Sequence, residues 1–495
     1  MLSIEELAVF CKSKGIIYPS SDIYGGLAGF FDFGPYGVEL FNNLKASWWK
    51  YFVQNREDMV GIDASIISNP KVWKASGHLD NFGDLLLTCS NDKCREKVRA
   101  DHYIEDKLDR NVEGLAASEV NQIVVDNKLV CPKCSSEFKE LRNFNLLFPT
   151  KIGADDEKSN TAYLRGETAQ GMFTNFRQVV DTTRQKVPFG IAQVGKCFRN
   201  EIAPRDFLFR CREFTIGEFE FFIHPDNDNC PFLTDKQKDM KVRLHSAEEQ
   251  EKNGKEITET TIGEMIDSEK MGNWHGYFLA EQLNWLLSIG LSWEKLLVRE
   301  HMKAELSHYS SATFDFDYEY PFGSSELAGN ANRGQYDLTQ HVKESGQKLE
   351  IFDEESKQKI LPRVIEPTFG MDRILIALLC EAYNDDKDRG NIVLKVKKDL
   401  APVKVAVFPL MNKLNDKGRE VFANLKETFV CSYDRSGSVG RRYARADELG
   451  IPFCVTVDFE TLEDLCVTIR HRDSTEQERV KIEDLKGKLF SLLNA

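Results

Sequence analysis

Two stretches of this 495-residue chain combine residue types that could handle a phosphorylated ligand. The first runs Cys197-Phe198-Arg199-Asn200-Glu201, then Phe209-Arg210-Cys211-Arg212-Glu213-Phe214, then Glu218 and Glu220. An arginine and a glutamate separated by one residue share a face when the segment is a strand. On such a face the planar fork of Arg199 can grip a phosphate. Glu201 can accept a hydrogen bond from an amino group of the same ligand, and Phe214 offers a ring for a base to stack on. A row of surface ion pairs on an antiparallel sheet would give the same spacing. The second stretch is Glu366-Pro367-Thr368-Phe369-Gly370-Met371-Asp372-Arg373, followed by an apolar run at 374–379. Gly370 lets the backbone approach a ligand closely. Arg373 falls at the start of a helix, where the dipole and a cation both favour phosphate. Taken alone, an ordinary strand-to-helix turn explains this stretch better.

Four cysteines form two pairs, Cys89-x4-Cys94 and Cys131-x2-Cys134. Four thiolates suit a tetrahedral Zn²⁺ site of the zinc-ribbon kind. The alternative is four reduced thiols in a vestigial module. The other eight of the twelve cysteines are scattered and are expected to be reduced thiols.

These residues need elements to position them. Ser3 and Glu6 suit a capping box for a first helix. Val38, Phe41, Leu44, Trp48 and Phe52 recur at steps of three and four, the stripe of a buried helix face. Residues 86–142 have the texture of an inserted module, residues 160–222 read as strands and turns, and 225–270 suggests a second, partly helical insertion. Residues 296–340 read again as strands. The segment 362–379 reads as a strand turning at Gly370 into a helix, and polar 384–388 as a linker. Beyond it a strand at 403–408, a helix around Val421 and Leu425, strands at Phe453–Val457 and 466–469, and a last helix holding Leu485, Leu489 and Leu492 predict a small α/β domain.

Composition narrows the class. Hydrophobic residues make up 41% and charged residues 29%, ordinary for a globular chain of two or three domains. No stretch approaches the roughly 20 apolar residues of a membrane span. Residues 1–11 lack a basic segment followed by an apolar one, so the expectation is a cytoplasmic protein without a secretory signal. The net charge of -14 argues against a generic nucleic-acid coat. Residues 400–495 hold 15 Lys plus Arg and 15 Asp plus Glu, so the acidic excess lies upstream and local basic grooves for RNA remain open.

The two phosphate-handling stretches resemble motifs 2 and 3 of class II aminoacyl-tRNA synthetases, and the resemblance then sharpens to the homodimeric glycyl-tRNA synthetase family along nearly the whole chain. Tyr24-Gly25-Gly26, the run from Asp32 to Gly37, 69–78, 99–102, Arg-Gly-Glu-Thr-Ala-Gln-Gly at 165–171, Arg-Glu-His at 299–301, Ser-His-Tyr-Ser at 307–310, Tyr320-Pro321-Phe322-Gly323, Glu326-Leu327 and Tyr336-Asp337-Leu338 all match. Thr368 stands where that family commonly has serine, and Arg333 is kept in a loose version of its motif.

The resemblance implies an α+β fold: an antiparallel sheet flanked by helices in a catalytic domain spanning 1–390, with insertions at 86–142 and 225–295, then an α/β anticodon-binding domain at 400–495. It implies a homodimer that joins glycine to the 3′ end of tRNA(Gly) through glycyl-adenylate, using ATP with Mg²⁺ and, in some members, structural Zn²⁺. ATP would lie against Arg199, Asn200, Glu201, Phe209, Arg210, Cys211, Arg212, Glu213, Phe214, Glu326, Leu327, Gly370, Met371, Asp372 and Arg373. Arg199, Glu201 and Arg373 would be its catalytic grips, and Glu326 the Mg²⁺ candidate. Glycine would meet Arg99, Glu167, Phe214, Thr215, Ile216, Gly217, Glu218, Glu366, Pro367, Thr368, Phe369 and Gly370. Arg441, Arg442 and Arg445 would touch the anticodon or form a solvated basic face.

Overall fold

The phenylalanine-rich run that closes the first motif forms the centre of the molecule because its alternate residues are all buried. Strand β1 is Met59–Gly61, β2 Phe189–Phe198, β3 Glu213–Ile223, β4 Lys241–His245, β5 Thr258–Thr261, β6 Leu296–Glu300, β7 Ala312–Tyr320, β8 Gly323–Gly334 and β9 Arg363–Gly370. They make one nine-stranded sheet in the order β5-β4-β6-β7-β8-β9-β3-β2-β1. Its middle, β6 to β2, is antiparallel throughout, and β1 joins β2 in parallel. This computed structural model describes every residue except 1, 111, 113, 114, 140, 155–159, 253, 308 and 495. His308 of the Ser-His-Tyr-Ser match therefore lies outside the described residues.

Helices cover both faces. The odd-numbered residues of β3 pack on α2 (Pro35–Trp49) and α4 (Asn273–Ser288), with Phe221 4.7 Å from Phe278 and Phe219 6.2 Å from Trp48. Even-numbered Phe222 packs on the opposite side, 4.5 Å from Phe176 of α3 (Ala169–Thr183). The short α1 (Ile4–Ser13) carries the expected Ser3–Glu6 capping box. Helix α5 is Tyr336–Ser345 and α6 is Met371–Ala382, which follows β9 directly.

Four elements depart from the sequence expectation. Residues 160–222 are not all strand and turn, since α3 occupies fifteen of them; its Phe173 and Phe176 stripe was masked by neighbouring strands of similar composition. Val38 is 40% exposed, while Phe41, Leu44, Trp48 and Phe52 form the buried stripe. The 384–388 segment is no linker, because Tyr383–Asp386 pairs with Asn391–Leu394 as a hairpin. The 225–270 stretch adds β4 and β5 to the edge of the main sheet.

The module around the cysteine pairs has its own three-stranded sheet, Gly83–Thr88, Lys97–Arg99 and Arg142–Asn145. Leu87, Ile104, Val120 and Ile123 form its core. Near the C-terminus, β10 (Val405–Pro409), β11 (Cys431–Tyr433), β12 (Phe453–Val457), β13 (Cys466–His471) and β14 (Gln477–Lys481) build a separate five-stranded sheet in the order β11-β10-β12-β13-β14. Helices α7 (Asn415–Leu425), α8 (Val439–Glu448) and α9 (Leu485–Asn494) accompany it. Lys14 pairs with Glu448 at 2.7 Å, and Asn43 donates to the carbonyls of Leu400 and Ala401, so this sheet is tied to α1 and α2.

Candidate active site

A cleft with about 600 Å³ of empty space opens where β3, β8 and β9 end. Arg199, Glu201, Phe209, Arg210, Cys211, Phe214, Thr215, Ile216, Glu326, Thr368, Gly370, Asp372 and Arg373 line it. Strand β2 stops at Phe198, so Arg199 and Glu201 occupy the loop beyond it and not one strand face. The loop holds them through backbone pairing of Arg199 N–H with Arg212 O at 3.0 Å and Glu201 N–H with Arg199 O at 2.7 Å. The Arg199 guanidinium lies between the rings of Phe214, 5.4 Å away, and Phe82, 5.2 Å away. Its Nε donates to Gly166 O at 3.2 Å. Such packing fixes the orientation of the guanidinium fork.

Glu201 is buried and accepts from Arg210 Nε at 2.7 Å. Arg210 also reaches His102 at 3.1 Å and Asp84 at 3.7 Å. Arg99, expected at the amino acid, is held by Asp101 at 2.6 Å and Asp84 at 3.3 Å, on the Glu201 side of the cleft. Burial pushes Asp84 up to about 6, against the pull of Arg99 and Arg210. Burial, with Arg99 next to it, lowers His102 to about 4 and keeps it neutral at pH 7.

On the far wall, Arg373 sits in the first turn of α6 with its guanidinium 4.5 Å over the Phe209 ring. It donates to Phe209 O at 3.2 Å and Glu326 O at 3.0 Å, and it pairs with the Glu326 carboxylate at 3.2 Å. Asp372 accepts from Thr215 N–H at 2.5 Å and is raised to about 6 by burial. Phe214 from β3 and Arg373 from α6 thus line the same cleft.

Behind Thr368 the cleft meets a buried polar cluster. Even-numbered residues of β3 and β9 face it. Glu218 accepts from Thr368 Oγ1 at 2.9 Å, and from Thr168 Oγ1 at 2.5 Å and N–H at 3.2 Å. Burial and the neighbouring Glu167 raise its pKa. Glu366 accepts from Arg333 Nη1 at 2.6 Å, and burial outweighs that guanidinium and lifts Glu366 well above the carboxylate range. Arg333 forms a two-bond fork with Asp337, at 2.7 and 2.8 Å, and lies 3.8 Å over the Tyr309 ring. Glu167 faces burial too, but His78 Nε2 at 3.2 Å and Arg333 at 3.7 Å outweigh it and hold Glu167 well below its usual value. Gln170 links Glu167 to Asp337, at 2.9 Å each.

Several expected residues point elsewhere. Phe369 packs on Trp48, Phe52 and Trp285 across the sheet. Gly217 faces Trp48 and Met371 on that same side, and Pro367 stands opposite Asn330, which bonds α4. Leu327 and Met371 are fully buried core. Arg212 gives its donors to the carbonyls of Glu201 and Ala28, Asn200 N–H bonds Leu146 O, and Glu213 pairs with Lys196 at 3.4 Å. Sequence reasoning missed His78, Asp84, Gln170, Arg333, Asp337 and Phe82 as site residues. His78, Gln170, Arg333 and Asp337 lay inside matched motifs. Phe82 and Asp84 had no local signal.

The four paired cysteines converge. Cys89 Sγ is 3.4 Å from Cys134 Sγ and Cys94 Sγ is 3.8 Å from Cys131 Sγ, and all four lie within 4.8 Å of one another. A tetrahedron of thiolates at the usual Zn–S distance has edges of roughly 3.8 Å, so the quartet could hold a metal ion. All twelve cysteines are free thiols. In the C-terminal sheet, Arg442 is buried and donates to Pro409 O at 2.6 Å, and Arg445 pairs with Asp434 at 2.5 Å. Of the three arginines on α8, Arg441 is the exposed one.

Comparison with known proteins agrees with this geometry. An anticodon binding domain model matches residues 404–492. The glycine–tRNA ligase of Alkaliphilus oremlandii is 43% identical, covering 98% of this chain and 97% of the relative. That of Clostridium perfringens is 42% identical, over 98% and 97%. That of Bacillus anthracis is 41% identical, over 98% of both chains.

Proposed function

The chain belongs to the glycine–tRNA ligase family, and on that premise we propose how its side chains divide the work. The enzyme activates glycine with ATP to glycyl-adenylate and pyrophosphate, then transfers glycine to the 3′ end of tRNA(Gly). The activation step brings ATP and glycine together, so their sites must adjoin, and Thr368 supplies the join: it lines the cleft and donates to Glu218 in the buried cluster.

In the first step a glycine carboxylate oxygen attacks the α-phosphorus and pyrophosphate departs. The attacking group is already ionised, so no general base is needed, and the protein contributes position and charge. Arg199, fixed between two rings, grips the α-phosphate and stabilises the charge that grows there. Phe214 and Arg373 sandwich adenine, and Arg373 extends to the terminal phosphates. Glu201 accepts from the adenine amino group with the oxygen that Arg210 leaves open. Glu326 keeps a half-exposed carboxylate beside buried Asp317, a hard-oxygen donor set suited to the Mg²⁺ that accompanies ATP and offsets phosphate charge.

Glu218 and Glu366 anchor the glycine ammonium, and Glu167 supports the same end of the pocket. Competing amino acids are all larger, so a filled pocket rejects them; forcing in one methyl typically costs ~1–3 kcal/mol. The methyl of Thr368 narrows that space. In the second step the terminal ribose hydroxyl attacks the adenylate carbonyl and AMP leaves. We assign the cysteine quartet to structural zinc, whose chemistry is to clamp the two knuckles of the module. A homodimeric assembly and a cytoplasmic location complete the proposal; no helix among the described residues is long and apolar enough to cross a membrane.

The test is amino-acid-dependent ATP–pyrophosphate exchange with glycine, alanine, serine and proline compared side by side. Exchange with glycine alone is expected. Exchange with another of the four, or none from folded protein, would overturn the assignment of the pocket.

A further inference from the structure

The hairpin that follows α6 makes a contact the chemistry above does not use. Its strands are Tyr383–Asp386 and Asn391–Leu394, and Arg389 stands in the turn between them. Asp386 builds that turn: it accepts from Arg389 N–H at 3.0 Å and pairs with Arg389 Nε at 3.1 Å. The rest of the guanidinium crosses to the five-stranded unit. Nη1 meets Asp447 of α8 at 3.2 Å and donates to Arg472 O at 2.7 Å, and Nη2 donates to Asp473 O at 3.0 Å. Each nitrogen of the fork thus already serves a protein acceptor.

Asp447 is 1% exposed and shares its carboxylate between two arginines. Arg470 of β13, from the same unit, holds it through two bonds at 2.8 and 2.9 Å. If the two units swing apart, Asp447 keeps Arg470 and Arg389 keeps Asp386. No buried charge is orphaned, an event that would cost several kcal/mol. The contact is therefore a joint that can open without unfolding either side, and Arg389 supplies three of the bonds that shut it. Two neighbours close the same seam. Gly450, at φ +72° just past α8, comes so near Leu394 that an added Cβ would stand 2.9 Å from the Leu394 carbonyl oxygen. Glu448, the last residue of α8, takes Lys14 at 2.7 Å. At the base of the hairpin Tyr383 packs edge-on against Phe10 of α1, 5.2 Å away, and α6 above it carries Arg373 at the cleft. One continuous run thus connects the cleft, α6, the hairpin and α8.

Transfer to tRNA needs both units at once. The 3′ end must reach the cleft while another part of the same RNA is held elsewhere, and two contacts made by one ligand reinforce each other only when the geometry lets both form together. We propose that Arg389 is a positioning residue for the transfer step: by bridging the hairpin after α6 to Asp447, Arg472 and Asp473, it sets the angle between the C-terminal unit and the cleft so that one tRNA(Gly) fills both. This rests on reading residues 404–492 as the unit that holds the anticodon.

The experiment compares charging of two RNAs by the full chain: tRNA(Gly), and a minihelix of its acceptor stem and T arm that has no anticodon. In Arg389→Ala the kcat/KM for tRNA(Gly) is expected to fall by about tenfold, while the minihelix and glycine-dependent pyrophosphate exchange stay within about twofold. Tryptic cleavage within 395–404, the chain between the units, should rise severalfold as the joint opens. A merely structural role would lower all three activities together. Arg389→Lys keeps a charge for Asp447 without the planar fork and should lose severalfold on tRNA(Gly) alone; it decides the question if the alanine variant does not fold. Unchanged charging of tRNA(Gly), a proportional loss on both RNAs, or a selective loss with no added cleavage would each overturn the proposal, the last because Arg389 would then act on the RNA directly. A wild-type enzyme that charges the minihelix as well as tRNA(Gly) would instead overturn the anticodon reading of the C-terminal unit.

Discussion

Arg199 is held by two aromatic rings and one backbone carbonyl, so removing its side chain should change little except the group it presents to phosphate. Arg199→Ala is expected to lower glycine-dependent ATP–pyrophosphate exchange by roughly 10²–10³-fold, the scale of losing one preorganised donor at a developing charge. The melting temperature should move little, because Phe82 and Phe214 retain their own contacts. An equal loss of stability and activity would instead make Arg199 a structural residue. Residue types alone marked Arg199, Glu201, Phe214 and Arg373 as ligand groups. They did not reveal Phe82 or Asp84, because both come from a different part of the chain and meet Arg199 and Arg210 only after folding.

Elements explain two further outcomes. Helix α4 is joined to β8 by His275, whose Nε2 bonds Asn330 O at 2.9 Å inside the core. Burial lowers His275 to about 4. The unfolded chain binds this proton from about 6.5 downward while the native chain does not. The contribution is therefore complete above that value and is lost as pH falls toward 4, on the order of 3 kcal/mol in all. Thermal melts at stepped pH should show this slope in the wild type and a flatter one in His275→Gln. The cysteine module gives the second outcome. Metal analysis should find one zinc per chain in the wild type and none in Cys131→Ser, with protease sensitivity rising near 86–142. Undiminished zinc in Cys131→Ser would remove the quartet as its ligands. The spacing of the cysteines suggested the site; the convergence of the four sulfurs to within 4.8 Å is what makes it geometrically sufficient.

At the scale of the whole molecule, the nine-stranded sheet holds the cleft and the five-stranded sheet stands apart, tied through Lys14–Glu448 and Asn43. A chain ending at Val403 should keep amino-acid activation within severalfold and lose tRNA charging by about 100-fold or more, since RNA identity is read on exposed bases away from the cleft. Pyrophosphate exchange and aminoacylation measured on one preparation would check it; proportional loss of both would place the C-terminal sheet inside the activation machinery. Much of this was legible in one dimension. The turn at Gly370 into α6, the buried stripe of α2, the late α/β unit and the ordered motifs depend on local periodicity and on residue identity, which sequence carries directly. Helix α3 hidden among strands, the hairpin at Tyr383–Asp386, the inward turn of Arg442 and the sharing of Arg333 among Glu366, Asp337 and Glu167 do not. The sequence by itself determined which chemistry the chain could perform. Only the tertiary structure decided which carboxyls are raised above their usual range and which are held below it, because that balance depends on burial and on partners drawn from strands and helices far apart in the chain.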